Sequence, residues 1–141
     1  MVKDIVVYMV LDKEKVLLEK RNEGDRYAGL WGFPSGHVDL DDEVGTLLKE
    51  VQEETDLLTE KYMFLGNMDF ESKDDKSLLH IFVIVKFIGD AKERTDEGRE
   101  LKWFAFDEAR NVFNSGTEFH KTSLVVLEKV MEVSKKLEEE K

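Results

Sequence analysis

Two neighbouring stretches decide how this chain is read: Trp31-Gly32-Phe33-Pro34-Ser35-Gly36-His37-Val38-Asp39 and, shortly after it, Lys49-Glu50-Val51-Gln52-Glu53-Glu54-Thr55-Asp56-Leu57. On a helix, positions three and four apart share a face, so Glu50, Glu53 and Glu54 aim carboxylates at one spot. Like charges placed there repel. A chain that carries such a cluster either leaves it in water or fills it with hard divalent cations, which take oxygen ligands and cancel the repulsion. Taken alone, three glutamates on a helix are more often a solvated face. The glycine-punctuated turn ahead of them favours cations, because such a backbone approaches a ligand closely.

Together the two stretches resemble the Nudix box, whose pattern is G-x5-E-x7-R-E-U-x-E-E-x-G-U with U aliphatic, and the chain is similar to MutT-like Nudix hydrolases. Here the pattern reads Gly36, five residues, Asp42, six residues, then Lys49 to Leu57, with Trp-Gly-Phe-Pro ahead of it as in many members. Four departures stand out. Asp42 replaces the first glutamate, Lys49 the arginine and Asp56 the late glycine, and the spacer before Lys49 is one residue short. Lys49 keeps the positive charge that orients box carboxylates but lacks the two-pronged planar donor of arginine. The missing residue would turn the start of the helix by roughly 100° against its end, so the deletion is expected in the Asp39-Leu40-Asp41-Asp42 lead-in. Asp56 fits a helix end in the left-handed conformation, which aspartate tolerates. Asp42 is equally readable as a plain helix cap and Lys49 as a surface partner of an acid.

Composition bounds the rest. At 141 residues the chain is read as one domain, 1–141, with no linker, internal repeat or low-complexity stretch. The absence of cysteine excludes disulfides, thiolate nucleophiles and cysteine-type zinc sites. The start Met1-Val2-Lys3-Asp4 has no signal-peptide pattern and no apolar run reaches membrane-spanning length, so a soluble, cytoplasmic protein is expected. A net charge of −11, with 32 acidic against 21 basic side chains, argues against a large nucleic-acid interface. A small phosphorylated substrate remains admissible if a cation bridges its phosphates to the acids.

Periodicity gives the elements. Asp4 to Leu11 and Lys15 to Arg21 read as an antiparallel hairpin, and Arg21 to Leu30 as loop. The box helix spans Asp42 to Thr55, with Val44, Leu47, Leu48 and Val51 on its core face and the glutamates on the other. Tyr62 to Phe70 and Leu78 to Ile88 read as strands around the polar turn 71–76, and Glu100 to Phe106 as another. A short helix opens at Phe106-Asp107-Glu108-Ala109 with aspartate as its cap, and a final helix covers Thr122 to Glu139 with Val126, Val130, Val133 and Leu137 as its apolar stripe. Lys135 to Lys141 is read as a fraying end. The pattern alone supports only an α/β or α+β class. The resemblance implies the Nudix α/β/α sandwich, a mixed sheet between helices.

The resemblance also implies a reaction: Mg2+- or Mn2+-dependent hydrolysis of the pyrophosphate bond in a nucleoside diphosphate linked to another group. Nucleoside triphosphates, dinucleoside polyphosphates, nucleotide sugars and ADP-ribose all stay open as substrates. A Nudix-fold module that binds a nucleotide without cleaving it is the competing reading, motivated by the four departures. Carried over residue by residue, Glu50, Glu53 and Glu54 would hold the metals, one of them doubling as general base, with Lys49 orienting them and the Ser35 backbone carbonyl as a further ligand. Family members often add a glutamate from a later loop; Glu97 is the candidate and Glu100 its rival. Lys20 and Arg21 are candidates for phosphate contact, and Tyr27 and Phe70 for stacking on a base. Core roles suit Trp31, Phe82 and Trp103. His37 is as readily structural as phosphate-binding, and His120 with Glu118 is placed near the cleft. A homodimer is common among relatives.

Overall fold

The structure, a computed structural model, describes residues 2–72 and 75–140. Its centre is a strand with two apolar faces. In β1 (Val2–Asp12) Val6, Tyr8 and Val10 point one way and Met9 and Leu11 the other, and all five are buried. Such a strand has to lie inside a sheet covered on both sides. One edge of β1 pairs in parallel with a later strand, from Val2↔Lys76 to Val10↔Ile84. Its other edge is divided. The C-terminal end forms the expected hairpin with β2 (Lys15–Lys20), through Leu11↔Val16 and Asp12↔Lys15. The N-terminal half takes a different partner, β4 (Ser35–His37), through Ile5↔His37 and Val7↔Ser35. The sheet therefore forks at β1. The β2 branch continues with β3 (Trp31–Gly32) on one side and β7 (Leu101–Ala105) on the other.

The far edge is a long hairpin of β5 (Leu58–Ser72) and β6 (Asp75–Ile88). Both strands extend into the polar segment expected to be a turn: Glu71 pairs with Lys76 and Ser72 with Asp75, and Lys73 and Asp74 lie outside the described residues. Ladder hydrogen bonds satisfy the backbone whatever side chains project from it, so polar residues at the tip do not end the strands. β5 is the sheet's outer strand, and its register is broken at Thr59/Lys61, Lys61/Tyr62 and Phe64/Gly66.

The box helix, α1 (Glu43–Thr55), has the expected ends. The Gly45 amide donates to the Asp42 carboxylate at 2.8 Å, so Asp42 is a cap. Asp56 closes the helix at φ 68°, its amide donating to the Gln52 carbonyl. Before the helix the chain turns tightly, with Leu40 and Asp41 both at positive φ and Asp39 bridging Asp42. One expectation is corrected. The buried stripe of α1 is Thr46, Leu47, Val51, Glu54 and Thr55, while Val44 and Leu48 are exposed. The helix leans on the sheet through the row 47, 51, 55, which rotates Leu48 outward and brings Glu54 in.

On the opposite face sit α2 (Phe106–Val112) and α3 (Glu118–Glu139). Asp107 is not the cap of α2: Ala105 occupies that position, and its amide donates to Glu108 at 2.9 Å. A carboxylate three residues into the helix does this work by reaching back. α3 starts a turn earlier than Thr122 because Thr117 caps it, accepting from the His120 amide. Val126, Val130 and Val133 are buried as expected, and Leu137 packs partly against them. Regular helix continues to Glu139, through most of the segment expected to fray.

The result is a three-layer α/β/α sandwich with a mixed sheet. One core, under α1, collects Val6, Tyr8, Leu17, Leu47, Val51, Phe82 and Ile84; the other, under α2 and α3, collects Met9, Leu18, Ile81, Phe104, Phe113 and Leu127. Phe82 is core as expected, while Trp103 packs only partly buried against the α1-side core and Trp31 against the α2/α3-side core. Among the described residues no helix is long and apolar enough to cross a membrane. The lean of α1 gives a direct check: Leu47→Ala should cost about 2–5 kcal/mol in denaturant unfolding and Leu48→Ala less than about 1 kcal/mol. Equal losses would refute this orientation of the helix.

Candidate active site

Glu54, carried inward by the α1 stripe, is 6 % exposed, and both carboxylate oxygens are buried without a hydrogen-bond partner of normal geometry. Three further groups on the same side of the sheet converge on it. Tyr8 of β1 is fully buried, and its hydroxyl has no hydrogen-bond partner among the described residues. Glu19 of β2, sharing strand parity with the core residue Leu17, is 3 % exposed. Glu50, one turn back along α1, packs on Gly36 so closely that a Cβ there would lie 2.7 Å from its Cδ. That contact sets the Ser35-Gly36 backbone beside the carboxylates, and a side chain at 36 would make Glu50 shift.

The electrostatic consequence is large. Burial, contact with Glu50, and the charges of Glu19, Glu50 and Glu97 push the Glu54 carboxyl up to about 10. Burial also raises Glu19, against the pull of Arg99 and Arg21. Tyr8 is raised by burial first and then by the charges of Glu54, Glu19 and Glu50. A packed set of carboxyls that disfavours its own ionisation is what a divalent cation relieves, and its donors are hard oxygens suited to magnesium or manganese. The residues thus fit the metal that the box implies. Among the described residues, no three acids or histidines stand in finished ligand geometry.

One positive group is interleaved with these acids. Arg99 lies 3.2 Å from Glu19, 3.1 Å from Glu97, and at 3.1 and 3.3 Å makes a two-pronged contact with Asp25. Neither Arg99 nor Glu19 was a sequence candidate. Lys49, which was, is exposed and has no ion pair among the described residues. Glu53 is exposed as well, while Glu97 belongs to the cluster electrostatically and keeps a side chain 63 % exposed. Its rival Glu100 lines a separate polar groove with Lys20, Arg21 and Arg94.

The histidines resolve into structural roles or surface. His120 is buried; its Nδ1 accepts from the Ser115 amide and its Nε2 donates to the Trp31 carbonyl at 2.8 Å, so it staples α3 to β3 and is not held ready for a substrate. Glu118 is exposed and pairs with Lys121. His80 is buried against Asp4 at 2.9 Å. His37 is exposed and borders a cleft on the α3 side of the sheet.

That cleft, about 260 Å³, runs between β1, the 21–30 loop and α3. Its walls include Ile5, Val7, Phe33 and Leu79, and both stacking candidates, Tyr27 and Phe70, line it. Tyr27 stacks on Phe119 with ring centroids 5.0 Å apart and planes 9° off parallel. Arg21 borders both the cleft and the polar groove, and Lys20 lines the groove. Ser35 lines the cleft while its neighbour Gly36 touches Glu50, which links cleft to carboxylates across the fork in the sheet.

Comparison with known proteins gives a consistent result. The family profile described as NUDIX domain matches residues 2–124. The fold is similar to a MutT NUDIX hydrolase from Burkholderia pseudomallei, at 22 % identity over 92 % of this chain and 98 % of that one, with a TM-score of 0.75. It is also similar to the NUDIX domain of Shewanella oneidensis NrtR, solved in complex with ADP ribose: 20 % identity, 94 % and 88 % coverage, TM-score 0.74. A MutT protein from Methanosarcina mazei shares 26 % identity over 77 % of this chain and 80 % of its own, with a TM-score of 0.66.

The carboxyl cluster yields a pH prediction. Glu54 binds its proton more tightly folded than unfolded, so between the ordinary glutamate value and about 10 the native state holds more protons and stability falls as pH rises. In EDTA the melting temperature should therefore drop from pH 5.5 to pH 9, and Glu54→Gln should remove most of that slope and raise the melting temperature at the alkaline end. A flat wild-type profile would mean that Glu54 is ionised and compensated.

Proposed function

The chain belongs to the Nudix family of pyrophosphohydrolases, and from that membership we propose that it hydrolyses, with magnesium or manganese, the pyrophosphate bond of a nucleoside diphosphate linked to another group. The carrying observation is Glu54: a buried carboxyl whose oxygens have no hydrogen-bond partner of normal geometry among the described residues, crowded by Glu50, Glu19 and Glu97. Glu50, Glu53, Glu54, Glu97 and the Ser35 carbonyl would hold the cation, which when bound would polarise phosphoryl oxygens, lower the pKa of the attacking water and spare the protein a covalent nucleophile.

The chain's own residues supply the remainder. Water adds to one phosphorus of the bridge, the bridging P–O bond breaks, and the water proton passes to a carboxylate. Glu97 and Glu53 are the reachable bases, being exposed where Glu54 is not. Lys20 and Arg21 lie where phosphates would run between groove and cleft. The Tyr27–Phe119 stack and Phe70 offer flat apolar faces to a base, which orients the reacting phosphates relative to the acids. A cytoplasmic location belongs to the same reading, in keeping with a chain that lacks cysteine.

A second reading, nucleotide sensing without cleavage, is favoured by one observation. Lys49, at the box position of the orienting arginine, is exposed and unpaired among the described residues. A panel of nucleoside triphosphates, dinucleoside polyphosphates, nucleotide sugars and ADP-ribose with Mg2+ or Mn2+ separates the two: product release supports the enzyme, and binding without product supports the sensor. Glu53→Gln and Glu54→Gln should each lower turnover by about 10²-fold or more with the circular dichroism spectrum unchanged. Unchanged rates would move the active site elsewhere. Millimolar Mg2+ should raise the wild-type melting temperature at pH 8, since binding to the folded state alone stabilises it; indifference to divalent ions would count against the cluster as a metal site.

A further inference from the structure

Resting on the pyrophosphohydrolase reading, we propose that Arg99 is the positioning residue of this site, tying β2, the 21–30 loop and the Glu97 loop together so that Glu97 is held against the Glu50–Glu54 cluster. Three acids from three separate segments share one guanidinium. Asp25 takes Nε and Nη2, and Nη1 is divided between Glu19 at 3.2 Å and Glu97 at 3.1 Å. The Arg99 side chain is 17 % exposed and that of Glu19 is 4 % exposed, so the pair works where solvent screens little. Arginine suits this arrangement because its planar fork fixes several acceptors at once, whereas a lysine ammonium is a point charge.

The segment around Glu97 is stiff in itself. The Thr95 amide donates to the Arg99 carbonyl, the Arg99 amide donates to the Thr95 hydroxyl, and the Gly98 amide donates to the Thr95 carbonyl. Lys92 ties the segment to α1, donating to Asp96 at 3.0 Å and to the Glu53 carbonyl at 2.8 Å. On its other side the segment is held by Arg99 and by Asn22, whose side chain donates to the Glu97 carbonyl at 2.9 Å, and both of these ties lead to the 21–30 loop or β2, where Lys20 and Arg21 lie. The orienting charge that the box would supply at Lys49 is, in this chain, delivered from a different element, by a residue that touches a ligand candidate directly.

Neutralising Glu19 would be a merely structural role, and the test has to separate it from positioning. Arg99→Lys keeps a charge near Glu19 but loses the fork. Glu19→Gln/Arg99→Met removes the buried acid along with its partner, so it folds even if Arg99→Met alone does not. Both should melt within a few degrees of wild type. In both, amide hydrogen exchange over 94–99 should accelerate about tenfold or more, and affinity for Mn2+ alone, titrated by calorimetry, should weaken roughly tenfold. With the panel compound that the native chain cleaves fastest, kcat should fall about 10²-fold while KM stays within about threefold. Native exchange and native kcat in the double variant would overturn the proposal and leave Arg99 as a charge neutraliser. If the native chain cleaves nothing, the pyrophosphohydrolase reading falls, and the exchange rates alone decide whether Arg99 fixes the loop.

Discussion

The burial of an acid on the core side of a helix is the constraint on which the rest of this structure depends. Glu54 lies in the same stripe as Leu47 and Val51, so the contacts that seat α1 on the sheet also drive a carboxyl out of water. Burying that group as an anion without partners would cost several kcal/mol. The fold answers by gathering further acids around it, which makes the metal-free cluster favour its protonated form and makes a cation a natural partner. Packing and chemistry here are two effects of one helix orientation.

The forked sheet gives that cluster its access. Had β1 paired with β2 along its whole length, the backbone of β4 would have no edge to join. Because β1 gives its first half to β4 and its end to β2, the Ser35-Gly36 backbone reaches Glu50 on one side of the sheet while Ser35 borders the apolar cleft on the other. A molecule with a flat apolar end and a charged end matches that geometry. The positive φ at Leu40 and Asp41 turns the chain tightly into the helix that Asp42 caps.

Much of this was legible from residue order. The turn-plus-helix motif led to the family and hence the sandwich, and Asp42, Asp56 and the valines of α3 took the roles that capping and periodicity assign them. The faces of α1 were harder, because Val44, Leu47, Leu48 and Val51 describe an apolar arc wider than the contact the sheet offers. Burial then depends on helix rotation, which neighbours decide. Glu19 did carry a signal: it stands two residues after Leu17, on the parity of a buried face, where a glutamate is out of place. Tyr8, between Val6 and Val10, carried the same kind of signal. Arg99 had none: beside nearby Glu97, its other partners are 74 residues away at Asp25 and 80 away at Glu19, and only the tertiary fold brings them together.

The outer strand has a consequence of another kind. Among the described residues β5 leaves one margin of its backbone unpaired by any other strand of the sheet, and Tyr62, Met63 and Phe64 on it are exposed. A straight ribbon of that composition would invite a foreign chain to zip onto it and seed fibrils. Three irregularities crowded between Thr59 and Gly66, the last at a glycine with φ 121°, twist and interrupt the donor–acceptor row just where the stickiest side chains stand. The kinks thus act as built-in guards against self-assembly in an otherwise vulnerable border.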